Sequence, residues 1–378
     1  MGTFYLHIGM HKTASSSCQH LFEDSRALLA AEGLHYFKSY DANHSFFLMS
    51  FFEAQQRDIG RLIAARHADP RYAREREALW RDWLGFLADT GRSGDDALVS
   101  AELGGFLEKP ATIRLRDQVL ARFDRMVVLM LIRPPLSFAR SAALQRLKGS
   151  HSLEALAMGL PRPGYRRRLE TYEKLLGAGN IRLELFHPER MVAGDPAQTL
   201  LAMMGKAGQA VAGLRAPRIN EALSRTGAKL LSALQVIRRD PNAESRLPSM
   251  LRDALLTLPR APFDYRLLLS GAYADRPLPP AWTNLAQAIP GDRFTLPAEV
   301  QNAITRALRE DVEWASARLG ADIWAYDTPR DPDAPTLAEL THIDDADAKA
   351  IVRHLAGGGP TANAANTPLH SLARMADC

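Results

Sequence analysis

Close to the N-terminus, the run Gly9-Met10-His11-Lys12-Thr13-Ala14-Ser15-Ser16-Ser17 puts a cation, several hydroxyl groups and small side chains directly behind an apolar segment, TFYLHIG. That combination suits an oxyanion. Where a strand hands over to a helix, unpaired backbone N–H groups and the positive end of the helix dipole attract negative charge. Small side chains let the anion approach, Lys12 adds a mobile ammonium, and the hydroxyls of Thr13, Ser15, Ser16 and Ser17 can donate to phosphate-type oxygens. The spacing differs from a Walker A loop, which needs a glycine five positions before a Gly-Lys pair, and this weakens a nucleotide-kinase reading. A serine-rich helix cap that binds nothing accounts for the same residues and stands as the alternative.

The elements that must hold this loop alternate in type. TFYLHIG is rich in β-favouring residues and stops at Gly9, whereas SSSCQHLFEDSRALLAAEG has apolar residues at helical spacing and closes on Gly33. A long helical stretch follows, including YAREREALWRDWLGFLADTG, and DALVSAE then reads as a short buried strand ending at Ser100 to Glu102. After the helix ATIRLRDQVLARF, the segment RMVVLMLIR is apolar on both faces, as a central parallel strand requires, and breaks at Pro134-Pro135. LSFARSAALQRLKG and YRRRLETYEKLLGAG read as helices and NIRLELF as another strand. The pattern predicts an α/β fold, a P-loop-like doubly wound parallel sheet flanked by helices. From about residue 195 it turns mostly helical, as a continuation of one domain over 1–325. The remainder, 326–378, is rich in Asp, Ala, Gly and Pro and is expected to be a poorly structured tail.

The run LHIGMHKTASSS resembles the 5′-phosphosulfate loop of sulfotransferases, in which a strand leads into Lys-Thr-Gly-Thr-Thr or a close variant. Ala14 stands in the place of the usual glycine, so a positive φ there would carry a strain cost. The resemblance implies 3′-phosphoadenosine 5′-phosphosulfate as co-substrate, without a metal, held by His11, Lys12, Thr13, Ala14, Ser15, Ser16 and Ser17. It also implies a second anion site, an arginine at the end of a later central strand followed eight residues on by a serine; Arg133 and Ser141 match it. Similar proteins carry a histidine or a glutamate as general base, which points to Glu102 after the DALVS strand, with His44 as runner-up, and to Lys12 as the group that stabilises the leaving phosphate. The bland readings are a first-turn glutamate favoured by a helix dipole and a capping histidine. YRRRLETYEKLLGAGNIRLELFHPERMVAGDPAQTLLAMMGKAG and INEALSRTGAKLLSAL resemble later stretches of the family more loosely.

Composition narrows the class further. The net charge of +4 comes from 47 basic and 43 acidic residues mixed along the chain, which argues against a nucleic-acid binder and leaves an anionic small molecule open. Cys18 and Cys378 have no metal-ligand spacing, and no apolar run reaches the ~18 residues that span a bilayer, so a cytoplasmic protein without a membrane span is expected. The acceptor is expected to be a small molecule or a glycan, with a hydroxyl or amine on a saccharide, a lipid-linked glycan, a peptide or a small metabolite all left open. A P-loop kinase and a non-catalytic nucleotide-binding protein are the competing functions.

Overall fold

The alternation of side chains along two apolar runs builds both halves of the core. In a computed structural model, which describes residues 2–53, 70–159, 162–206, 208, 211–217, 223–258 and 263–356, these runs form the central strands β1 (Thr3–His7) and β4 (Arg125–Ile132). Phe4, Leu6, Met126, Val128 and Met130 point into one apolar cluster, while Tyr5, Val127, Leu129 and Leu131 point into another on the opposite face. A strand covered on both sides has no polar face to show, which is why RMVVLMLI carries none.

With β2 (Leu34–Tyr36), β3 (Asp96–Ser100) and β5 (Ile181–Leu185), they make a five-stranded parallel sheet of order β2-β3-β1-β4-β5. The smaller cluster is filled from α1 (Ser15–Asp24), α2 (Arg26–Ala31) and a later helix, Pro196–Met203, through Cys18, Phe22, Leu29, Leu200 and Leu201. The larger one takes α3 (Ser45–Phe52), α4 (Pro70–Ser93), α5 (Lys109–Leu120), α6 (Pro135–Gly149), α7 (Leu153–Met158) and α8 (Tyr165–Leu176). The chain leaves β1 toward β2 but leaves β4 toward β5. The two neighbouring strands therefore open a crevice between their C-terminal ends, the place where sheets of this kind bind ligands.

Several sequence expectations are corrected. The helix expected to run from Ser15 to Gly33 is broken at Ser25, and the short edge strand β2 was hidden behind it. The mostly helical part expected from about residue 195 includes two successive helices, Ala298–Ala307 and Arg309–Leu319, which meet at Leu308. The tail expected from 326 is ordered as far as the description goes. Leu337–Thr341 carries a capping box at Thr336 and Glu339, Asp345–Ala356 follows it, and Leu340, Ile343, Ala348 and Ile351 are buried in the larger core. A few well-spaced apolar residues and a reciprocal cap suffice to dock a segment whose composition looks polar. Residues 357–378, including Cys378, lie outside the described residues.

Candidate functional site

The loop after β1 is sewn to β4 before it turns. Ile8 N–H donates to the Leu129 carbonyl (3.0 Å), Leu131 N–H to that of Gly9 (3.0 Å) and Met10 N–H to that of Leu131 (3.3 Å). Its hydroxyls then divide by role. Thr13 Oγ1 and Ser15 Oγ both donate to the Met10 carbonyl, at 2.7 and 3.0 Å, and both residues are buried, so they fold the loop. Ser17 is also buried, whereas Ser16 is exposed. Ala14 sits at the N-cap of α1 with φ 58° and ψ 22°, and Lys12 also has a positive φ of 68°. The left-handed conformation that the usual glycine would supply without cost is thus present with a Cβ attached, a strain of about 1–2 kcal/mol. Because alanine has no polar side chain, it does not cap the first turn of α1, and the N–H groups of a first turn have no partner within their own helix.

Glu102 begins a 3-10 turn, Glu102–Phe106, directly behind β3. It packs on the loop: a Cβ added to Gly9, which has φ 90°, would lie 3.5 Å from the Glu102 Cα and 3.6 Å from its Cγ. The left-handed turn is what calls for glycine at position 9, and Glu102 packs against it at ordinary contact distance. Withdrawal from water raises the Glu102 pKa, and the Ser15 hydroxyl, Lys12 and Arg168 oppose that rise. His11 lies 6.0 Å from the Phe106 ring. Burial, then Arg168 and Lys12, push its pKa down to about 3, so the imidazole is neutral.

His44 occupies a different place. It is fully buried at the start of α3, its N–H donates to the Ser100 carbonyl (2.9 Å), and its Nδ1 accepts the Ser100 N–H (3.0 Å). Ser100 Oγ in turn meets His7 Nδ1 at 2.8 Å and Gln19 Nε2 at 3.1 Å. Burial lowers the pKa of His7 to about 4 and that of His44 to about 3. This neutral cluster fixes the end of β3. Of the two candidate bases, Glu102 is the one that stands beside the loop and its cation.

Arg133, the residue after β4, is brought to the loop, but not to Ser141. Its Nη1 donates to the Lys12 carbonyl (2.5 Å) and its Nε to Ser137 Oγ (2.9 Å), while the Tyr165 hydroxyl donates to the Arg133 carbonyl (2.5 Å). Ser141 lies one helical turn beyond Ser137 on α6 and is half-buried. The start of α6 already holds an anion. Both oxygens of the Asp327 carboxylate accept there, from Leu136 N–H (2.7 Å) and Ser137 N–H (2.9 Å). Burial raises the Asp327 pKa, against the pull of these N–H groups and of Arg133. Arg133 is lowered to about 10, first by burial and then by Arg140, and remains charged at neutral pH.

Arg168 was missed by the sequence reading. It lies within α8 in the run Arg166-Arg167-Arg168, yet only Arg168 falls on the buried face with Tyr165, Leu169 and Tyr172. That spacing, an arginine at i+3 from one aromatic and i−4 from the next, is the signal that could have found it.

No family model matches the chain, and no curated protein is similar to it. Among solved structures, the chain is similar to the sulfotransferase domain from the Synechococcus PCC 7002 olefin synthase. The identity is 12%, over 87% of this chain and 95% of that one, with a TM-score of 0.30. The fold class rests on the five-stranded parallel sheet itself.

Proposed function

We propose that this protein transfers a sulfuryl group from 3′-phosphoadenosine 5′-phosphosulfate to a hydroxyl or amine of a small-molecule or glycan acceptor. The observation that carries the reading is Glu102, a half-buried carboxylate of raised pKa packed on the anion loop near Lys12. The uncapped first turn of α1 with Lys12 fits a phosphosulfate group, and Arg133 with the start of α6 fits a second phosphate once Asp327 yields its seat.

The donor supplies an activated sulfuryl group whose bridging oxygen gains charge as it departs. Lys12 and the first-turn N–H groups of α1 meet that charge, and fixed donors in a dry site are a large source of rate enhancement. Glu102 takes the proton of the attacking hydroxyl or amine; its raised pKa makes it a stronger base than an ordinary carboxylate, and such a group contributes ~10²–10⁴-fold. Ser15 and Thr13 keep the loop in register, and Arg133 ties its backbone to β4.

The test pairs ligand with chemistry. Thermal stabilisation by 3′-phosphoadenosine 5′-phosphate should exceed that by ATP with Mg²⁺, since a ligand at ~100 times its Kd stabilises by about 2.7 kcal/mol. Label from the sulfate donor should reach an acceptor, and Lys12→Ala should abolish that transfer while the protein stays folded. Preference for ATP with Mg²⁺, or full activity in Lys12→Ala, overturns the reading.

A further inference from the structure

Arg168 is a buried charge whose fork is only partly used. It is 4% exposed. Its Nε donates to the Pro163 carbonyl (2.8 Å), and its guanidinium carbon lies 4.0 Å above the Phe106 ring. Nη1 is buried and has no acceptor among the described residues. The acidic neighbours do not fill the gap: both oxygens of Asp311 are taken by Tyr165 N–H (2.9 Å) and Arg166 N–H (2.8 Å), and Glu102 interacts with Arg168 only through space. Burial lowers the Arg168 pKa to about 10, so it stays charged at neutral pH. A buried guanidinium with a vacant N–H is costly, and a native structure that keeps one usually has a partner for it.

The surroundings are built around this group. Tyr165 and Tyr172 pin α8 at two points, to the Arg133 and Gly104 carbonyls. A Cβ at Gly105 would come within 3.2 Å of the Arg168 Cβ and Cγ and 3.5 Å of Nη1, so glycine there makes room for the Arg168 side chain itself. Glu102 and Phe106, on the turn that packs against Arg168, are only half-buried, so that turn is in contact with solvent. The position is on the β3 side of the loop, beside Glu102, whereas Arg133 and the start of α6 lie on the β4 side.

We propose that Arg168 is a specificity-determining residue that binds a carboxylate, phosphate or sulfate group carried by the acceptor, close to the hydroxyl or amine that Glu102 deprotonates. The inference rests on the sulfuryl-transfer reading for the identity of the other substrate. Arginine matches such oxyanions with two parallel N–H bonds, and Phe106 holds its plane. An acceptor bearing a negative group is thereby aligned before transfer, and a neutral analogue leaves a buried charge unpaired.

The binding arm uses sulfate as probe on protein saturated with 3′-phosphoadenosine 5′-phosphate. Sodium sulfate should raise the melting temperature saturably over sodium chloride at equal ionic strength, and Arg168→Met should lose the saturable part. Should Arg168→Met fail to fold, Arg168→Lys takes its place and should weaken the response. A sulfate effect that never saturates in wild type, or that is unchanged in both variants, overturns the proposal. The catalytic arm compares 4-hydroxyphenylacetate with 2-(4-hydroxyphenyl)ethanol as acceptors. Wild type should prefer the acid by about tenfold or more in kcat/KM, and Arg168→Met should erase the preference. An equal loss on both acceptors would place Arg168 on the transferring group instead and overturn the acceptor assignment. If the nucleotide itself fails to stabilise the protein, the sulfuryl-transfer reading falls; if it binds and sulfate does not, only the Arg168 subsite falls.

Discussion

The crevice has two cationic sides that solve the same electrostatic problem differently. On the β4 side, Arg133 spends donors on the Lys12 carbonyl and Ser137, and the adjoining start of α6 is closed by the Asp327 carboxylate. On the β3 side, Arg168 keeps a buried donor vacant beside Glu102. The first guanidinium holds the loop together whether or not a ligand is present, while the second completes its bonding only with one. A charge that stitches backbone contributes to the fold directly. One left open is a cost that function must justify.

The difference can be broken most sharply at Glu102. Glu102→Gln should lower kcat by ~10²–10⁴-fold with little change in nucleotide binding. The same variant should be more stable than wild type near neutral pH, because a raised carboxyl pKa means that the ionised form is disfavoured in the fold. That gain should shrink as the pH falls into the ordinary carboxylate range, where Glu102 is protonated in both states; thermal melts across pH check it. Equal stability at all pH values would show that Lys12 and Arg168 fully compensate the burial.

On the other side, Arg133→Ala should weaken nucleotide binding about tenfold or more and also loosen the loop, because one residue serves both. Asp327→Asn should act in the opposite sense on binding, tightening the nucleotide several-fold in calorimetry, while the loss of one accepting oxygen at the cap, about 1 kcal/mol, is offset by relief of a buried carboxylate. Weaker binding in Asp327→Asn would mean that the carboxylate orients the site rather than competing for it. The smallest effect belongs to the loop itself. Ala14→Gly should stabilise the protein by about 1 kcal/mol, seen as a rise in melting temperature, because it relieves a left-handed alanine.

The sheet was legible where chemistry is repetitive. β1 and β4 announce themselves as apolar runs ended by Gly9 and by Pro134, and the loop between β1 and α1 shows its cation and hydroxyls in order. Leu34–Tyr36 was not legible, since a three-residue edge strand is too short to show a period. Ser141 was singled out by a spacing of eight that came from the resemblance, whereas Ser137 meets Arg133 because it lies in the first turn of α6, next to the end of β4. The ordered stretch around Asp327 escaped because composition averages over a segment, and what anchors it is a single carboxylate with four buried apolar side chains, Leu340, Ile343, Ala348 and Ile351. Arg168 was obscured by its two exposed-looking neighbours of the same type. Only the helical phase separates it from them.

Asp327 also changes what an affinity for this crevice means. With a carboxylate already lodged at the head of α6, an arriving phosphate is exchanged for an internal anion rather than added to a bare cationic surface. The measured free energy is then a difference between two rival ligands, one of them covalently attached and present at a fixed effective concentration. Acid that protonates Asp327 removes one rival, and cleavage of the chain before residue 327 removes it outright. The sequence distance of 190 residues between donor and carboxylate makes this exchange sensitive to events at the far end of the chain.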